Sequence, residues 1–196
     1  YSFDYSRIRK GALAFASQSG FAAAQGQPLE DRGYPISKMC DFGNKCDLDE
    51  ADVVSLLAED DDTKVIGLYL EAINRGEEFI KAVEGMAVKK PLVVFKSGRT
   101  EAGSLAASSH TGSLAGSDAV NDVIFDKLNV HRAQDLDEFY DAVQVFSTCS
   151  PMKKDGIVII TNAGGLGVMS ADATFNAPYV EAIKLTDATI EGLKVA

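Results

Sequence analysis

Lys64-Val65-Ile66-Gly67-Leu68-Tyr69-Leu70 reads as a strand buried on both faces. Its apolar positions run on without in/out alternation, which is what a parallel sheet covered by helices on two sides requires. Pro91-Leu92-Val93-Val94-Phe95 repeats that character. Working outward, the apolar run Gly11-Ala12-Leu13-Ala14-Phe15-Ala16 ends in Ser17-Gln18-Ser19-Gly20. Residues 21–32 are Ala-rich and helix-compatible until Gly33 stops them. Residues 35–42 give a weaker second strand, and 49–60 a helix with Asp49 as its expected N-cap and acidic residues in its first turn. A helix near 77–86 follows the third strand. Beyond the fourth strand lie a helix at 117–128 with Ser117 as N-cap, a short fifth strand at Val130, and a closing helix at 136–146. Five strands alternating with helices imply an α/β doubly wound parallel sheet with right-handed crossovers. In the order 2-1-3-4-5 the first, third and fourth strands lie side by side.

Residues 147–156 are turn-rich and polar, the composition of a join between domains. The period then restarts, with a strand expected at 157–161, a turn at Asn162-Ala163-Gly164-Gly165, a helix at 166–175, a strand at 180–183 and a helix at 189–195. Phe15-Ala16-Ser17-Gln18-Ser19-Gly20 and Ile160-Thr161-Asn162-Ala163-Gly164-Gly165 form a weak internal repeat, each a strand end, a small polar turn and a helix start.

The 196 residues are 46% hydrophobic, enough for a sizeable core. A net charge of −10 argues against nucleic acid as a partner, because phosphate backbones are bound by clustered Lys and Arg. No apolar stretch approaches the roughly 20 residues of a membrane span, and the first ten residues lack a signal-peptide layout. The expectation is a cytoplasmic protein with no membrane partner. Cys40, Cys46 and Cys149 are odd in number and lack metal-site spacing, so buried or indifferent thiols are expected rather than a disulfide or zinc. Asp60-Asp61-Asp62 reads as a solvated charge run rather than a metal site, and no metal ligand set is expected elsewhere. Gly165-Leu166-Gly167-Val168-Met169-Ser170 is only a partial dinucleotide fingerprint.

Ligands of such sheets bind outside the carboxyl ends of the strands. Ser17, Gln18, Ser19 and Gly20 leave the first strand, Glu71 the third, and residues 96–116 the fourth. Those 21 residues are rich in Gly, Ser and Thr and carry His110, one of two histidines in the chain. They suggest a mobile loop presenting an imidazole; the alternative is a solvated loop whose histidine is incidental. A carboxylate at the same rim orients an imidazole through one nitrogen and leaves the other as nucleophile or base. Glu71 is the candidate, against the alternative of a surface residue opening a turn. Ser17 and Ser19 fit either anion binding at a helix N-terminus or ordinary capping. His131 is taken as structural.

Ser17-Gln18-Ser19-Gly20, Gly43-Asn44, Leu68-Tyr69-Leu70-Glu71, Lys96-Ser97-Gly98-Arg99, Ser109-His110-Thr111-Gly112-Ser113-Leu114-Ala115-Gly116 and Thr161-Asn162-Ala163-Gly164-Gly165 together resemble the NDP-forming acyl-CoA synthetases, relatives of succinyl-CoA synthetase. The resemblance implies a flavodoxin-like ligase domain over 11–148. It makes 1–10 a linker from an upstream domain and 149–196 the truncated start of a second α/β ligase-like unit, so that the chain is a central fragment. It implies that His110 becomes a phosphohistidine, that Glu71 supports it, and that the turns Ser17, Gln18, Ser19, Gly20 and Asn162, Ala163, Gly164, Gly165 cradle phosphate. Acyl-CoA, acyl phosphate and phosphate are the implied ligands. CoA, ADP or ATP and Mg belong to a full-length enzyme with an ATP-grasp domain or beta subunit, not to this fragment by itself; a homo-oligomer is left open. The resemblance also admits a different class, a non-catalytic ligand-sensing or regulatory module of a protein acetyltransferase. Retention of His110 and Glu71 favours the enzyme.

Overall fold

Strand β1 (Lys10–Ser17) lies between β2 (Ile36–Asp41) and β3 (Val65–Leu70), and β4 (Leu92–Lys96) and β5 (His131–Arg132) complete a five-stranded parallel sheet in the order β2-β1-β3-β4-β5. The computed structural model describes residues 9–20, 35–86, 89–111, 117–153, 156–175, 177 and 180–194, with the backbone alone at 110 and 111. The helix expected at 21–32 lies outside the described residues.

The double burial read from the apolar runs is realised by alternation within each strand. Ala14, Ala16, Ile66, Leu68, Leu70 and Val94 face one core, with Val54 and Leu57 of α1 (Glu50–Glu59), Phe79 and Val83 of α2 (Gly76–Glu84), and Phe125 of α4 (Asp118–Lys127). Leu13, Phe15, Val65 and Val93 face the other, against Phe139, Tyr140 and Val143 of α5 (Leu136–Thr148). Both cores are built mainly of apolar side chains, so hydrophobic burial drives the sandwich. Gly67 is the close point between β3 and α5: a Cβ there stands 3.1 Å from both Phe139 and Val143.

Local signals place the helices. Asp49 caps α1 as expected, accepting from the backbone of Ala51 and Asp52 at 2.9 and 3.3 Å, while Asp52 returns a bond to the Asp49 N–H. Ser117 precedes α4 but makes no side-chain cap. The fifth strand falls on His131 and Arg132 rather than Val130.

The stretch 96–116 is not a loop throughout, because Glu101–Thr111 forms helix α3. Thr100 Oγ1 accepts from the Gly103 N–H at 3.0 Å, Glu101 sits in the first turn, and Ala102, Leu105, Ala106 and Ala107 are good helix formers. Their propensity outweighs the Gly and Ser content on which the loop was read.

The chain divides into two compact units, Tyr1–Cys149 and Ser150–Ala196. In the second, β6 (Gly156–Ile157) pairs in parallel with β7 (Glu181–Ala182), and α6 (Gly164–Phe175) and α7 (Asp187–Lys194) accompany them. The strand expected over 157–161 is confined to Gly156 and Ile157, which pair with the two-residue β7 among the described residues. Gly164 and Gly165, expected as turn residues, begin α6. Among the described residues no helix is long and apolar enough to cross a membrane.

Candidate active site

The carboxyl ends of β1, β3 and β4 are adjacent, and the ladders continue past the strands. Gln18 N–H donates to Tyr69 C=O at 3.0 Å, Ser97 N–H to Leu70 C=O at 2.9 Å, and Phe42 N–H to Ser17 C=O at 3.1 Å. Ser17, Gln18, Glu71 and Lys96 therefore share one rim.

Ser17 is fully buried. Its Oγ accepts from the Ser19 N–H at 3.1 Å and donates to the Ser19 C=O at 2.7 Å, closing a turn that leads into Gly20. Asp41 lies so close to Gly20 that a Cβ there stands 2.9 Å from its Oδ2.

Glu71 is buried rather than a surface residue, at 8% exposure. Gln18, also buried, reaches across from β1: its Oε1 accepts the backbone N–H groups of Glu71 at 2.9 Å and Ala72 at 3.1 Å. Lys96 Nζ reaches from β4 to the Glu71 C=O, and to the Ser97 C=O, each at 2.7 Å. Lys45 Nζ donates to the Ala72 C=O and sits 2.6 Å from Glu50 Oε2, both side chains almost wholly buried. Glu50 Oε1 in turn accepts the Asn74 N–H at 3.2 Å. Tyr69 Oη bridges Glu71 Oε1 at 3.5 Å and Ser97 Oγ at 3.4 Å.

Burial pulls the Lys96 ammonium below the usual lysine range and pushes the Tyr69 phenol above its own. A lysine whose direct partners include two carbonyls leaves a positive charge beside Glu71 in a dry setting.

His110 lies on α3, which follows β4 directly through residues 97–100. Its side chain lies outside the described residues. Asn162, Ala163, Gly164 and Gly165 are in the second unit, where Thr161 Oγ1 accepts the Ala163 N–H at 3.0 Å and donates to the Ala163 C=O at 3.2 Å. His131 is not part of the rim: its Nε2 lies 3.2 Å from Glu138 Oε1 and its ring packs edge-on against Phe146. The three cysteines are free, Cys40 half-buried and Cys46 and Cys149 exposed. Among the described residues no group of three His, Cys, Asp or Glu could hold a metal ion.

The sequence reading missed Lys45, Glu50 and Lys96. Lysine and glutamate are rarely buried unless paired, so composition points them outward. The available signal was position alone: Lys96 ends an apolar strand, and Lys45 follows the Gly43-Asn44 turn.

Residues 10–146 match the family described as succinyl-CoA ligase like flavodoxin domain. An ADP-forming acetate–CoA ligase of Methanocaldococcus jannaschii is 39% identical over 188 residues, which are 94% of this chain and 26% of that protein. The alpha subunit of ADP-forming acetate–CoA ligase II of Pyrococcus furiosus is 39% identical over 189 residues, 95% of this chain and 40% of the subunit. Among solved structures, the dinucleotide-forming acetyl-coenzyme A synthetase 1 of Ca. Korarchaeum cryptofilum in complex with phosphate and ADP superposes with a TM-score of 0.85 at 34% identity, covering 96% of this chain and 41% of that one. The chain thus spans between about a quarter and two fifths of the length of these relatives.

Proposed function

The chain belongs to the family of succinyl-CoA-ligase-like flavodoxin domains, and from that premise we propose that it is the phosphoryl-transfer part of an NDP-forming acyl-CoA synthetase. The whole enzyme interconverts acyl-CoA, ADP and phosphate with carboxylic acid, ATP and CoA. The observation that carries this reading is a buried Glu71 at the carboxyl end of β3, beside the Ser17-to-Gly20 turn and one strand from the segment that bears His110.

In the proposed sequence a phosphate oxygen attacks the thioester carbonyl, the carbon–sulfur bond breaks, and CoA leaves as the thiol with the proton that phosphate releases. A ring nitrogen of His110 then attacks phosphorus in the acyl phosphate, and the carboxylate departs. Glu71 holds the N–H of the other ring nitrogen and stabilises the positive charge that develops on the imidazole. The phosphohistidine finally passes its phosphoryl group to ADP and the ring is restored. Covalent catalysis divides one difficult transfer into easier ones.

The turn at Ser17, Ser19 and Gly20 and, in the second unit, the turn at Asn162, Ala163, Gly164 and Gly165 are each proposed to bind phosphate through those N–H groups that Ser17 Oγ and Thr161 Oγ1 do not take. Gln18 contributes differently, since its Oε1 is already committed to Glu71 and Ala72. We keep 11–148 as the flavodoxin-like ligase domain and 149–196 as the start of a second ligase-like unit. CoA, the nucleotide and the Mg that accompanies it are assigned to other parts of a longer protein or a partner subunit. For an enzyme that uses nucleotide and CoA-thioester substrates we propose a cytoplasmic location.

The test uses the full-length protein with labelled ATP, or with acyl-CoA and labelled phosphate. Label is expected on His110 in an acid-labile, alkali-stable bond. His110→Ala abolishes labelling and net synthesis, while Glu71→Gln keeps the fold and slows phosphorylation by about 100-fold. Turnover of His110→Ala near the parent rate would refute the proposal.

A further inference from the structure

All four polar backbone groups of Glu71 and Ala72 are taken by side chains that arrive from other parts of the sheet. Both N–H groups go to the single oxygen Gln18 Oε1 after β1, at 2.9 and 3.1 Å. The Glu71 C=O goes to Lys96 Nζ at the end of β4, at 2.7 Å. The Ala72 C=O goes to Lys45 Nζ from the turn after β2. The Glu71 and Ala72 groups would ordinarily be met by water or by the local backbone of a turn. Here they are met by one amide and two ammonium groups, all three side chains buried.

Burying Lys45 and Lys96 carries a desolvation cost that their partners, Glu50 and three carbonyls, must offset. Lys45 bears a further cost, because its backbone sits at φ 60°, a left-handed conformation that a residue with a Cβ adopts only when its surroundings over-determine it. Glu50, with no exposed side-chain surface, holds the Lys45 ammonium at 2.6 Å, and its other oxygen ties the Asn74 N–H at 3.2 Å, three residues beyond Glu71. A stretch that needed only to turn the chain could be built from glycine and asparagine at no such expense. What this arrangement adds is a fixed direction for the one side chain that leaves residue 71.

We propose that Gln18, Lys96 and the Lys45–Glu50 pair are positioning residues that lock the peptide at 71–72 and so aim the Glu71 carboxylate at the phosphohistidine; the inference rests on the phosphotransfer reading above. They act through Glu71 and touch no reacting atom. A misplacement of about 1 Å at a catalytic group costs about 100-fold in rate, so loosening the clamp lowers the rate of His110 phosphorylation and leaves the concentration of acyl phosphate at half-saturation unchanged.

The experiment is a double-mutant cycle in the full-length protein, read as the single-turnover rate of His110 phosphorylation by acyl phosphate. Lys96→Met is expected to slow the step by about 10- to 100-fold, and to slow it less than twofold when Glu71 is already Ala, because a residue that works through Glu71 has nothing left to position. Gln18→Leu, which changes no charge, is expected to behave in the same way and serves if Lys96→Met does not fold. Lys45→Met is made together with Glu50→Leu, so that no buried carboxylate is stranded. Equal slowing in the Glu71 and Glu71→Ala backgrounds, or a rise in half-saturation with an unchanged maximal rate, overturns the clamp while leaving the phosphotransfer reading intact. A parent protein that takes no label on His110 overturns that reading and with it the role given to the clamp.

Discussion

Two turns in this chain are built alike and live differently. Ser17 Oγ bonds both the N–H and the C=O of Ser19, and Thr161 Oγ1 bonds both the N–H and the C=O of Ala163, so each hydroxyl closes the same two-residue turn. Ser17 is fully buried, at the end of an eight-residue strand with a parallel neighbour on either side. Thr161 is exposed, four residues past a two-residue strand, and Ile160 next to it is 90% exposed. The first turn is held by the sheet as well as by its own hydroxyl, while the second has local bonds to hold it. Local sequence writes the turn, and tertiary packing decides how rigid it is.

The sharpest way to break this contrast is to truncate one aromatic in each unit. Phe139, 1% exposed against Phe15, Phe95 and Tyr140, should cost about 3–5 kcal/mol on changing to Ala. Phe175, 91% exposed at the end of α6, should cost no more than about 0.5 kcal/mol. Urea unfolding followed by circular dichroism measures both, and equal losses would mean that Phe175 is covered in solution.

A subtler comparison uses the two hydroxyls themselves. Ser17→Ala strands the part-buried N–H and C=O of Ser19 and should cost about 1 kcal/mol or more, whereas water replaces the Thr161 hydroxyl, so Thr161→Ala should cost about 0.5 kcal/mol. The second value is best read from amide exchange along α6, and a Thr161 effect as large as that of Ser17 would erase the distinction drawn here.

The smallest effect concerns a cap held from outside its own helix. Arg75 hydrogen-bonds the Asp49 carboxylate and, helped by the cap bonds from Asp52 and Ala51, pushes it down to about 2. A carboxyl lowered on folding contributes stability above its unfolded value of about 3.9, and that contribution disappears as pH falls through the folded value. Arg75 is nearly half exposed, so the gain is discounted to about 1 kcal/mol. Asp49→Asn should therefore be less stable than the parent at neutral pH, with the gap closing between pH about 4 and about 2. A gap independent of pH would assign the whole effect to capping.

The contrast also explains what the sequence could show. Uninterrupted apolar runs such as 65–70 and 91–95 disclosed the parallel sheet because burial on two faces leaves no room for polar alternation. Asp49 disclosed α1 because a cap is a local device. Helix α3 was obscured: Gly103, Ser104, Ser108 and Ser109 suggest a loop, yet both serines near its end bond back to the Leu105 C=O within the helix. Glu71 was legible as the residue that ends a strand. Its three supports were not, because Gln18, Lys45 and Lys96 stand 53, 26 and 25 positions from it, and nothing in a linear pattern pairs a buried ammonium with a distant carbonyl.

The outer strands of the five-stranded sheet bear on how the protein behaves at high concentration. β5 offers only two residues, and one of them, Arg132, is drawn to Asp118 and Asp122. At the opposite margin β2 carries Lys38, paired with Asp60 at 3.0 Å. A second chain seeking to extend the sheet meets a short strand with an occupied guanidinium on one side and a lysine on the other, the devices by which natural sheets discourage intermolecular strand pairing. With a net charge of −10 adding mutual repulsion, the five-stranded sheet is guarded against the aggregation that its apolar strands would otherwise invite.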